Sequence, residues 1–106
     1  MSDTHKTPID AHFYKRADAH IQLANSHIDK TCPPADATNS LMFASSRFNA
    51  WITAMGFHNA QEMKAEKDEI VNFFTTQYKL MFEENFDNYV ENFEQFITDV
   101  KKSQEK

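Results

Sequence analysis

The side chains best suited to chemistry in this chain are its histidines, its one cysteine and a solitary arginine. The histidines are His5, His12, His20, His27 and His58. His20 and His27 share the apolar stripe of a first helix, with His12 at its edge, and are about 10.5 Å apart along the axis. That is too far for one metal ion. Metal sites on a single helix use ligands three or four residues apart, and neither His-x-x-x-His nor Glu-x-x-His occurs. Hydrogen-bonded core or interface histidines are expected instead.

Cys32 stands beside Pro33, away from any helix start and from a histidine that could activate it. Ser45, Ser46 and Asn49 offer hydroxyls and an amide near Arg47 but no base, so they form no triad. Gly56 is the single glycine, and no phosphate-gripping loop is present. No catalytic residue, metal site or cofactor is assigned, and the chain is read as not an enzyme.

Arg47 is the only formally charged side chain between Asp36 and Glu62. Two readings stand. Buried, it would clamp helices together through a carboxylate such as Asp18 or an acid of the last helix, because an unpaired interior charge is very costly. Alternatively it anchors an anionic ligand in a pocket with Phe48 and Trp51. Asn49 and His20 complete that candidate ligand set.

The remaining candidate is acidic. Glu84, Asp87 and Glu91 recur at spacings of three and four, but no calcium-loop pattern is present, and a regular helix cannot wrap an ion. A solvated face is expected. With Glu94, these acids could also meet a basic partner. From Leu80 to Val100 there are six acids and no Lys or Arg.

The elements that must position these groups are helices. A chain of 106 residues with 41% hydrophobic residues suits one domain, with frayed ends at about 1–6 and 102–106. Three prolines, one glycine and few β-branched residues favour long helices. Ile9, Phe13, Ala17, Ile21, Ala24 and Ile28 repeat every three or four residues, which predicts a helix over 8–29 capped by Thr7. Pro33 and Pro34 make a turn. Asp36 caps a second helix, 36–55, that ends at Gly56. This helix is apolar on most sides and is placed at the centre. Asn59 and Glu62 form a capping box for a third helix, 60–84, whose seam is Ile70, Phe74, Tyr78 and Met81.

The stretch FEENFDNYVENFEQF, 82–96, sorts itself on a helical wheel. Phe86, Tyr89, Phe93 and Phe96 fall within about 40° of Phe82. The acids gather on the far side and the amides on the other flank, so the rings are expected to turn inward. A break near Asn85–Asn88, with Asp87 as a new N-cap, would divide off a fourth helix, 87–101. The alternative is one kinked helix. The fold class is all-α, a compact bundle of three to four helices.

ADAHIQLAN (17–25), LMFASSRFNAW (41–51) and YKLMFEENFDNYVENFEQF (78–96) resemble a family of small, all-helical bacterial proteins of unknown function, mainly gammaproteobacterial. The likeness spans about residues 11–97, and RFNAW (47–51) is its most specific part. It implies a stand-alone bacterial protein and supplies no activity or catalytic residues.

Net charge of −5 opposes general binding to nucleic acid. No apolar run is long enough to span a bilayer, and no leader-like segment begins the chain. The lone Cys32 fits a reducing cytoplasm. The expected function is therefore a small non-catalytic protein-interaction module, binding an unidentified protein or itself. The alternative is a binding module for a small anionic or aromatic ligand centred on Arg47 and Trp51.

Overall fold

A computed structural model describes residues 9–98, 100 and 101. The expected frayed ends, and the proposed Thr7–Pro8 helix start, lie outside the described residues. Four α-helices and one π-helical turn carry the described chain, with no strand among these residues: α1 Phe13–Ser26, α2 Pro34–Met55, α3 Ala60–Ala65, α4 Lys67–Glu91 and a π-turn Glu94–Thr98. The all-α class is as the periodicity predicts. None of these helices is long and apolar enough to cross a membrane.

The described residues divide into two units, 9–66 and 67–101. In the first unit, α1 starts later than 8 because Asp10 organises a turn ahead of it. The Asp10 Oδ1 accepts from the His12 backbone N–H at 2.9 Å, and the Phe13 N–H donates to the Asp10 carbonyl at 3.2 Å. Asp10 Oδ2 also holds Arg16 at 2.6 Å. The helix ends before 29 for a similar reason. Asp29 Oδ1 accepts from the Thr31 N–H and hydroxyl, each at 2.8 Å, and from the Cys32 N–H at 3.0 Å. A side chain that gathers the next three donors draws the backbone out of the helix.

Helix α2 begins at Pro34 rather than Asp36. Proline lacks the N–H that a first helical residue would leave unpaired, so Pro34 fits there, and Asp36 sits in the positive first turn. The helix stops at Gly56 as expected, but Gly56 has φ −85° and ψ −3°, an ordinary right-handed conformation. Asn59 caps α3 as predicted, its Oδ1 accepting from the Glu62 N–H at 2.9 Å. The Glu62 carboxylate reaches back to the His58 N–H at 3.0 Å, one residue beyond the usual capping box.

Packing in this unit joins α1 to α2. Phe13, Ala17 and Ala24 of α1 are half-buried, and Ala37 near the start of α2 is buried. The placement of α2 as a helix buried on most sides is corrected. Met42, Phe43, Phe48, Trp51, Ile52 and Met55 are all exposed. α1 is shorter and carries small alanines, so it covers only part of a helix that is apolar nearly all round.

The expected third helix, 60–84, is divided at Glu66 into α3 and α4, and the expected break at 85–88 is absent. α4 runs 25 residues, about 37 Å. Asn85 does not interrupt it, because its amide donates to the Met81 carbonyl at 3.0 Å and stays within the helix. The α-helix ends instead at Glu91, followed by Asn92, which donates to both the backbone and side-chain oxygens of Asn88 at 3.0 and 2.9 Å. The less exposed face of α4 comprises Ile70, Phe74, Gln77 and Leu80, with Gln77 buried. Tyr78 and Met81, assigned to the seam, are exposed.

Candidate functional site

The two candidate regions sit on separate helices. On α2, Phe43, Ala44, Arg47, Phe48 and Trp51 line one open depression. Their spacing of one, three and four residues brings them to one side of a helix. The Arg47 guanidinium lies over the Phe43 ring, 5.1 Å from its centroid. Phe48 and Trp51 lean together with centroids 6.3 Å apart.

Arg47 is exposed and pairs with no carboxylate among the described residues. The buried-clamp reading is therefore corrected. A long, weakly hydrated guanidinium on a solvent-facing helix finds its nearest partner in an aromatic face one turn away. Arg47 and Trp51 do share a depression. Asn49 is turned about 200° from Arg47 around the helix, and its carbonyl accepts the Thr53 hydroxyl at 2.7 Å. His20 is exposed on α1 and does not line the depression. Sequence reasoning omitted Phe43 from the candidate set. Its signal was the Phe43–Arg47 spacing of four, a cation–π register on a helix.

Among the described residues, no three or more His, Cys, Asp or Glu stand close enough to hold a metal ion. His12, His20, His27 and His58 are exposed rather than core residues.

The second region is the C-terminal half of α4 and the π-turn. The Tyr78 and Phe82 rings stack at 5.9 Å, and Phe82 meets Phe86 at 5.9 Å. Tyr89 meets Phe96 edge-on at 5.3 Å, seven residues along. These contacts align Tyr78, Phe82 and Phe86 in one row and pair Tyr89 with Phe96 in another, two groups on the side that the helical wheel predicts. Its environment differs from the prediction: Phe82, Phe86, Tyr89, Phe93 and Phe96 are 37–57% exposed rather than turned into a core. Aromatic residues that stack along their own helix cover one another's edges, but their outer faces require another surface to leave water. Glu84, Asp87, Glu91 and Glu94 are exposed, and the last two line a second open depression with Val90, Asn92, Phe93 and Gln95.

Electrostatic shifts lie away from both regions. Asp10 is held below the usual carboxylate range, first by its hydrogen bond from Arg16 and then by the His12 N–H. Arg16 is raised correspondingly. Asp29 is lowered, chiefly by the Thr31 hydroxyl.

Fold and sites thus define an all-helical protein whose most prominent surface features are aromatic. The chain belongs to the family described as Protein of unknown function (DUF3144), whose model matches residues 13–90. It is also similar to the solved NMR structure of the protein NB7890A from Shewanella sp. That match has 31% identity and a TM-score of 0.69, and covers 85% of this chain and 95% of the other. No curated protein matches the chain.

Proposed function

We propose that this is a non-catalytic protein-interaction module that docks another polypeptide on the aromatic residues of the second half of α4 and the π-turn. One observation carries the reading: five rings, from Phe82 to Phe96, which the helical period sets toward one side of the end of α4 and the π-turn, remain 37–57% exposed. Full burial of one large apolar side chain contributes roughly 1.5–3 kcal/mol, so five half-exposed rings leave on the order of 4–7 kcal/mol available to association. Contiguous exposed apolar surface of this kind marks interaction sites. The lone Cys32 supports placement in a reducing cytoplasm, and the net acidity disfavours nucleic acid and anionic membranes.

The test combines affinity purification from the native cell with light scattering over a concentration series. A Phe86→Ser, Phe93→Ser double variant that stays helical by circular dichroism should lose the partner, or the self-association, that the parent shows. A strictly monomeric parent without partners, or a variant that keeps every partner, would end the proposal.

A second reading is supported by the depression that unites Arg47 with Phe48 and Trp51. It is a weak cradle for a small anionic or aromatic ligand, because such sites normally enclose most of the ligand and this one is open. Trp51 is the only tryptophan, so its fluorescence reports occupancy directly. Quenching by a ligand that Arg47→Met abolishes would favour this reading, and unchanged binding in that variant would remove it.

A further inference from the structure

The occupant of the α4 strip can be narrowed by charge, an inference that rests on the docking role proposed above. We infer that the strip receives a cationic amphipathic helix, one whose apolar face is edged by Lys or Arg along one side. The argument begins with the asymmetry of the helix surface. Taking Phe82 as zero, Glu83 and Asp87 fall at about 100° and 140°, beside the apolar edge made by Val90 at about 80°. Glu91, grouped with the other acids by its spacing, falls near 180°, directly behind the strip, and so takes no part in its border. The opposite edge of the strip is lined by amides, Asn85, Asn88 and Asn92. From Phe82 onward one border is therefore anionic and the other neutral, with Lys79 one turn ahead of Glu83 on the anionic side.

A second copy of the same strip cannot complement that border. Facing two copies antiparallel sets acid border against acid border. Facing them parallel sets acids against amides. With the two copies centred on Tyr89, neither arrangement sets a cation opposite Glu83 or Asp87, since no Lys or Arg occurs from Leu80 to Val100 and Lys79 falls beyond the acids, one turn before Glu83. An anionic lipid surface is repelled by the same charges. A helix with a basic border satisfies both features of the strip: its apolar face covers the rings, and its cations meet Glu83 and Asp87. Such complementarity favours the right partner and penalises others.

The experiment uses the full chain and two synthetic amphipathic peptides of about 18 residues, five helical turns. Both carry the same leucine face, one bordered by Lys and the other by Glu. Binding is measured by peptide fluorescence anisotropy at low and high salt, and the contact surface by backbone amide shifts. The Lys peptide should bind at least about tenfold more tightly than the Glu peptide. It should weaken as salt rises and shift amides of 78–96. Glu83→Gln should weaken it roughly two- to fivefold, whereas Glu91→Gln, with the same change in net charge, should leave it nearly unchanged.

Equal loss in Glu83→Gln and Glu91→Gln would mean diffuse charge attraction and would overturn the inference. Equal binding of both peptides on α4 would also overturn it, while leaving the docking role intact. If neither peptide moves the α4 amides but raising the protein concentration does, the occupant is a second copy and the cationic partner is refuted. If nothing moves them, both the inference and the docking role fail.

Discussion

Arg47 and Phe43 are four residues apart on α2, and the guanidinium rests 5.1 Å from the ring centroid. The one charge on an otherwise neutral stretch is thus held by an aromatic face on its own helix. Exposed cation–π pairs contribute about 0.5–1 kcal/mol, whereas removing one partner of a buried ion pair costs about 3–5 kcal/mol. Arg47→Met should therefore lower unfolding stability by about 1 kcal/mol or less. A double-mutant cycle with Phe43→Leu, read from urea unfolding, should return a coupling of about 0.5–1 kcal/mol. A loss in the buried range would restore the interhelical clamp.

The turn ahead of α1 has a pH signature. Asp10 is lowered from 3.8 mainly by the Arg16 hydrogen bond, and Asp29 from 3.8 mainly by the Thr31 hydroxyl. A carboxyl whose folded value lies below its unfolded one stabilises the fold fully above the unfolded value. That contribution disappears as pH falls through the folded value. The two turns should therefore loosen only on the acid side of 3.8. Carboxyl-carbon NMR titration should place both midpoints below that value. Arg16→Met should raise the Asp10 midpoint and leave that of Asp29 in place. A common shift of both, or none, would contradict the separate local causes.

Gly56 ends α2 without using the conformational freedom of glycine. At φ −85° an alanine is unstrained, and its Cβ would meet the Thr53 carbonyl oxygen at 3.4 Å, an ordinary contact distance. Gly56→Ala restricts the unfolded chain more than the folded one, so it should stabilise by about 0.4–1 kcal/mol. The urea midpoint should rise with an unchanged slope. Destabilisation would show that the position needs a left-handed backbone.

Legibility of this chain from sequence follows the range of the forces involved. Asn59 and Glu62 were readable because a cap is made by residues three apart. The end of α2 was readable because Gly56 and Asn59 mark it in the chain itself. The ring strip of α4 was readable as a period, and Tyr78, Phe82 and Phe86 do line up. What covers a periodic face is a different quantity. Trp51 and Phe86 have the pattern of core residues yet are 58% and 57% exposed, because burial depends on a second surface that helical period does not encode. The depression under Arg47 was partly legible for the same reason: its members lie within two turns of one helix, whereas His20 was assigned to it across two helices and does not line it.

The sharpest difference from the sequence reading concerns the break expected at 85–88, and Asp87 can decide it. An N-cap aspartate and an interior helical aspartate respond to alanine with opposite signs. At an N-cap, the carboxylate accepts an otherwise unpaired backbone N–H, and its removal costs about 0.5–2 kcal/mol. Inside a helix, aspartate is a poor helix former, and alanine gains up to about 0.7 kcal/mol. The structure carries α4 unbroken to Glu91, with the Asn85 amide donating 3.0 Å to the Met81 carbonyl. Asp87→Ala should therefore stabilise, and amide exchange across 85–90 should slow rather than quicken. Destabilisation with faster exchange at 88–90 would place a helix start at Asp87. In that event Phe86 and Tyr89 would belong to separate helices, and Phe82, Phe86 and Tyr89 would not share one helix face.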